Sequence, residues 1–127
     1  MPANNPVVVV LTTGKQDRGA RATLAFGWAC TALAAGVSVT LFLTIDGAVW
    51  ALRDATKGIV VEGFEPLHNY LEQFVALGGE LLVCAPCTKY YCGLREGEEG
   101  ELHAEVKVAG LMTVVGRAAN GAQVVTF

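Results

Sequence analysis

From Ala22 to Ile45 the chain carries no charged residue, and this stretch limits what it can fold into more than any other. An uncharged run of that length either spans a bilayer or lies inside a globular core. Gly36 decides against the bilayer by dividing the run. Before it the sequence is helix-like; after it Val37, Val39, Leu41, Leu43 and Ile45 alternate with Ser38, Thr40, Phe42 and Thr44, the two-residue period of a strand. Five Thr or Ser residues dilute the hydrophobicity further. The run therefore reads as a buried helix followed by a buried strand, and no membrane association is expected.

The alternation continues on both sides. Val7 to Leu11 is a continuous apolar run, the pattern of a strand covered on both faces, and Thr12-Thr13-Gly14 turns the chain outward. The spacing predicts a helix from about Asp17 to Ala35, stopped by Gly36. That helix is apolar almost all round (Leu24, Phe26, Trp28, Cys30, Leu33), so it packs on a sheet and on a second surface as well. The second strand, Val37 to Thr44, ends at Asp46-Gly47, and a short helix is expected near Ala48 to Arg53. Pro66 opens an amphipathic helix in which Leu67, Tyr70, Leu71, Phe74 and Val75 share one face, and Gly78-Gly79 closes it. Strand three is Glu80 to Val83. An acidic loop (Glu96, Glu98, Glu99, Glu101) leads to a fourth strand at about His103 to Val108, a helix from Gly110 to Ala119 and a terminal strand from Gln123 to Phe127.

Strands alternating with helices imply an α/β fold with a mainly parallel five-stranded sheet and right-handed crossovers. With no linker or repeat in residues 1–127, one domain is expected. The flavodoxin-like order 2-1-3-4-5 suits this arrangement. In such sheets ligands bind beyond the carboxyl ends of the strands at the switch between strands one and three, which would set Thr13 and Gly14 beside Cys84.

The chain is 53% hydrophobic and 17% charged, against roughly 25% charged in ordinary domains. Both faces of the sheet are then covered, or subunits cover one another, and the nearly all-apolar first helix points to a homo-oligomer. The net charge of −3 and the scattered basic residues argue against a nucleic-acid partner. The start, Met-Pro-Ala-Asn-Asn-Pro, lacks the basic residues of a secretion signal. A reducing cytoplasm is therefore expected, where clustered cysteines suggest metal or redox chemistry before a structural disulfide.

Three of the four cysteines lie in Cys84-Ala85-Pro86-Cys87-Thr88-Lys89-Tyr90-Tyr91-Cys92, directly after the third strand. A thiol at a strand's carboxyl end, followed by Pro86 at a first helical position, meets unpaired backbone N–H groups that favour the reactive thiolate. Gly93 is expected to cap the short helix carrying Cys87 to Cys92.

Several segments together resemble the DsrE/DsrF-like family of small sulfur-relay proteins. They are Val9-Val10-Leu11-Thr12-Thr13-Gly14 with Arg21-Ala22, Ala34-Ala35-Gly36-Val37-Ser38-Val39-Thr40-Leu41-Phe42, Asp46-Gly47-Ala48-Val49, and Gly78-Gly79-Glu80-Leu81-Leu82-Val83-Cys84. Val108-Ala109-Gly110 and Val124-Val125-Thr126-Phe127 also fit. The resemblance implies a three-layer α/β/α fold in homo-trimers or homo-hexamers. For sulfurtransferase members it implies a cysteine after strand three that carries sulfur as a persulfide, the position of Cys84. Cys87 and Cys92 stand outside the family pattern and leave room for a resolving thiol or a metal.

The expected catalytic residues are accordingly Cys84, Cys87 and Cys92. Thr13, Gly14 and Asp46 at the strand ends, with Lys89 and Tyr90 after strand three, are expected to line the substrate pocket. Cys84 could equally be a small apolar residue filling the core. Cys84-Ala85-Pro86-Cys87 also reads as a C-x-P-C dithiol, but every proline lies at or before Pro86, so none can supply the later cis-proline of a thioredoxin-like site. A Cys3His zinc site would use Cys84, Cys87, Cys92 and His103, although no second C-x-x-C exists. Thr12 to Asp17 offers too few donors for a flavin or nucleotide phosphate, and no cofactor is expected. Sulfur-donor and sulfur-acceptor proteins are the expected partners beyond the chain itself. Cys30 reads as core, His68 as surface, Trp28 and Trp50 as packing, and the acidic loop as solvated or as a docking point for a basic partner.

Overall fold

The computed structural model describes residues 5–127; the reading of the chain's first four residues lies outside them. Its elements are β1 (Val7–Leu11), α1 (Ala20–Ala34), β2 (Val39–Leu43), a 3-10 helix (Ile45–Ala51), α2 (Leu67–Ala76), β3 (Glu80–Cys84), α3 (Ala85–Tyr90), β4 (Val106–Ala109), α4 (Leu111–Ala119) and β5 (Gln123–Thr126). The strands form one five-stranded, wholly parallel sheet. The three-layer α/β core is the one expected. α1 and α2 share one face, where Phe26 and Phe74 meet edge to face at 6.1 Å. α4 crosses the other face, and its Arg117 reaches both Thr40 and Glu80.

The order along the sheet is β4-β3-β2-β1-β5, in place of 2-1-3-4-5. Burial gives the reason. All five residues of β2 are buried, with bulky apolar side chains on both faces, so this strand needs neighbours on either side. In the order 2-1-3-4-5 it would lie at an edge. Instead β4 and β5, the strands with the most exposed residues, take the edges. The reversal of winding therefore falls between β1 and β5, and β2 separates Thr13-Gly14 from Cys84.

The boundaries shift for local reasons. α1 begins at Ala20 because Lys15–Asp17 form a separate 3-10 turn and Arg18 and Gly19 adopt left-handed conformations. The Asp17 carboxylate then accepts the N–H groups of Gly19 (3.1 Å) and Arg21 (3.0 Å) at the helix start. The short helix expected at Ala48 to Arg53 is the 3-10 helix three residues earlier. β4 begins at Val106, so His103 lies in the preceding loop, where its Nδ1 accepts the Glu105 N–H.

The 3-10 helix passes over the carboxyl end of β1, and this approach requires glycine at position 47. The Gly47 N–H donates to the Thr12 carbonyl at 3.1 Å, and a Cβ there would lie 2.1 Å from the Leu11 oxygen. Trp50, fully buried at the far end of the segment, donates its indole N–H to the Thr13 carbonyl at 2.9 Å.

Candidate functional site: a thiol cluster at the end of the third strand

β3 runs in its last residue into α3, so Cys84 ends the strand and precedes the first helical turn. α3 has only six residues, too few for a substantial macrodipole. The polar surroundings of the thiols come instead from the end of β2. The Ile45 N–H donates to Cys87 Sγ at 3.2 Å, and the Thr44 hydroxyl lies 3.5 Å from the same sulfur. Ile45 holds its N–H there in a left-handed conformation, φ 53°. For a β-branched residue that is a strained backbone, costing about 1–3 kcal/mol that the surrounding structure must sustain.

Cys84 and Cys87 are each 4% exposed, and Cys92 is half-buried. Burial pushes the Cys84 thiol up, and neighbouring Cys87 adds to that by its side chain and its charge. The Thr44 hydroxyl opposes the rise, as does the Cys87 N–H, which makes no full capping bond to the sulfur. Cys92 donates its S–H to the Ala48 carbonyl at 3.2 Å. It is pushed up to about 11, first by burial and then by Cys87. Cys30 stands apart in α1, its S–H on the Tyr70 carbonyl at 3.2 Å, a core residue as expected.

The residues expected to line a pocket divide into two groups. Thr13, Gly14 and Asp46 come together at the carboxyl ends of β1 and β2: a Cβ on Gly14 would meet the Asp46 carbonyl at 2.6 Å, and Gln16 links Gly14 to the Asp46 carboxylate. Lys15 lies over the nearby Trp50 ring, 5.9 Å from its centroid. Lys89 and Tyr90 leave α3 on its solvent side, the ammonium 5.3 Å from the ring centroid. Lys89 also lines a cleft of about 570 Å³ with Thr88, Arg95 and Glu99, whereas Tyr90 is exposed. A second cleft of about 600 Å³ opens at the amino ends of the strands, between Leu33, Leu77 and Arg117. Neither cleft includes a cysteine.

Among the described residues no three His, Cys, Asp or Glu side chains are gathered as a metal site requires. His103 is held away from the thiols by its loop, whose backbone N–H bonds the Ala51 carbonyl, so the Cys3His arrangement does not form. Thr44 and Ile45 are the site residues that sequence reasoning missed. Thr44 reads there only as the end of a strand, and nothing in an isoleucine announces a positive φ.

A parallel α/β protein with a thiol pair at the third strand's carboxyl end is the class that fold and site define. The chain belongs to the DsrE/DsrF-like family, whose sequence profile matches residues 6–127. An uncharacterised protein of Methanocaldococcus jannaschii, MJ0989, is 32% identical over 107 residues, covering 84% of this chain and 87% of its own. The crystal structure of the YchN protein from Escherichia coli has a TM-score of 0.71 at 18% identity, over 97% of this chain and 99% of that one. The Bacteroides thetaiotaomicron protein BT1422, of unknown function, has a TM-score of 0.66 at 12% identity, over 100% and 99%. These likenesses establish the shared fold. Among the described residues no helix is long and apolar enough to cross a membrane.

Proposed function

We propose that this chain is a sulfur-relay protein that takes up sulfur as a persulfide on Cys84 and gives it up again. Family membership supports the relay in general. The observation that carries the assignment to Cys84 is the local one: this thiol ends β3 with a second thiol, Cys87, and the Thr44 hydroxyl as neighbours. A persulfide needs polar groups to hold its charged outer sulfur, and the Thr44 hydroxyl and the Cys87 N–H are placed to supply them. Because Cys84 is nearly buried, the sulfur has to arrive on a small or extended donor group. The proposal includes donor and acceptor proteins, a reducing cytoplasm that keeps the four free thiols reduced, and assembly as a homo-trimer or homo-hexamer through the apolar face of α4.

The burial of Cys84 also favours a second reading, a binding module in which the thiol is a packing group. One experiment separates the two. In a chain carrying Cys87→Ser and Cys92→Ser, Cys84 is the only thiol left in the cluster. Incubation with inorganic polysulfide should add one sulfur, mapped to Cys84 by peptide mass and removed by dithiothreitol. Adding Cys84→Ser should abolish the gain while the circular dichroism spectrum stays native. Absence of any gain at Cys84 in a folded chain would leave the packing reading.

A further inference from the structure

Resting on the sulfur-carrier reading, we infer that Cys87, rather than Cys92, discharges the Cys84 persulfide, and that the sulfur leaves as hydrosulfide. The hydrogen bonds sort the two thiols. Cys87 Sγ receives the Ile45 N–H at 3.2 Å and has the Thr44 hydroxyl at 3.5 Å. The Ile45 N–H can hold this sulfur whether or not it carries a proton, so turning Cys87 into a nucleophile breaks no contact with that amide. Cys92 is placed in the opposite sense, donating to the Ala48 carbonyl at 3.2 Å. A carbonyl has no proton to give, so that bond exists only while Cys92 stays a thiol. Ionising it would lose the bond and set an anion against the carbonyl oxygen.

Position agrees with this sorting. Cys84 and Cys87 stand three residues apart around the first turn of α3, a separation whose Cα atoms fall within disulfide reach. The Cys87 side chain lies near enough to Cys84 to hydrogen-bond with it. Cys92 lies beyond the far end of α3, tied to the 3-10 helix.

The step balances without an outside reagent. The Cys87 thiolate attacks the inner sulfur of Cys84–S–SH, and a Cys84–Cys87 disulfide bond forms. The bond to the outer sulfur breaks, and that sulfur departs with the electron pair and its proton as hydrosulfide. Cys87 is oxidised and the departing sulfur is reduced. Return to the dithiol consumes one equivalent of a dithiol reductant, so the chain stands between a reaction that supplies sulfane sulfur and one that supplies thiol reducing power. Thr44 and the Ile45 amide are positioning groups in this step.

The test uses the full chain, reduced, loaded briefly with inorganic polysulfide without air, desalted, and followed by trapping of hydrosulfide and non-reducing peptide mapping. The native chain and Cys92→Ser should lose the added sulfur, release one hydrosulfide per loaded chain and acquire the Cys84–Cys87 disulfide. Cys87→Ser should keep its sulfur on Cys84 and release none. In Thr44→Val the discharge should slow severalfold and Thr44→Ser should restore it, a rescue that loss of packing alone would not produce. Equal persistence of the persulfide in native and Cys87→Ser chains would overturn the inference, as would its persistence in Cys92→Ser alone. No sulfur on Cys84 in Cys87→Ser would instead remove the carrier reading beneath it.

Discussion

The two faces of the sheet are finished to different degrees. Under α1 and α2, Val7, Val9, Leu11, Leu41, Leu43, Leu81 and Val83 are buried, and the Phe26–Phe74 contact closes the layer. On the opposite face α4 buries none of its residues; Leu111, Met112 and Val115 are 64%, 84% and 60% exposed. The low charge content of the chain is thus explained by packing on both faces of the sheet, since Val8, Phe42 and Leu82 are buried as well, and what is left exposed is the apolar outer side of α4 itself. Side chains alternate along a strand, so Cys84 points to the same side as Glu80, which α4 reaches through Arg117. Cys84 and α4 therefore belong to the same side of the sheet, and association through α4 would change the surroundings of that thiol.

Breaking the closed face should cost most. Phe74→Ala removes a fully buried ring that meets Phe26, and a loss of about 3–5 kcal/mol is expected in urea unfolding. The open face should respond differently. Leu111→Glu combined with Val115→Glu should change unfolding of the separated chain by no more than about 0.5 kcal/mol, since both side chains are exposed, while sedimentation shows a shift to smaller species. A large loss of stability at unchanged size would mean that the α4 face is already satisfied within one chain. Arg117→Ala tests the polar contact beneath α4. The Arg117–Glu80 pair is more than a third exposed, so its loss should cost at most about 1 kcal/mol. Hydrogen exchange should place that loss in α4 and β5, with α1 and α2 unchanged.

The same contrast explains what could be read from the residues alone. Elements on the closed face carry strong periodicity: Val7–Leu11 has no polar interruption, and Leu67, Leu71 and Phe74 fall on one side of α2, where all three are buried. Their existence and type were legible because burial on one face repeats along an element. The strand order was not, since local pattern fixes an element's faces and leaves its neighbours open. The clue lay in β2, whose Phe42 among alternating Val and Leu asks for cover on both sides. Cys84 at the end of β3 was legible from the apolar run before it. Its partners were not, because Thr44 and Ile45 reach the thiols through a left-handed turn, and a turn of that kind at isoleucine has no periodicity and no characteristic residue. Asp46-Gly47 marked the place, but the reason, an approach that leaves no room for a Cβ at Gly47, is visible only in three dimensions.

Titration of the thiols sharpens the comparison with the smallest effect. Cys30 on the closed side and Cys92 beside the site are both raised from 9.0 to about 11, chiefly by burial. An acid raised in the folded state stays protonated there while its unfolded counterpart ionises. Between about pH 9.0 and 11 the unfolded chain then binds fewer protons than the folded one, and stability falls as pH rises. The contribution is fully present below pH 9.0 and gone above about 11. Tyrosines ionise in the same window, so the readout is a difference between slopes: Cys30→Ala and Cys92→Ala should each lose stability less steeply with pH than the native chain.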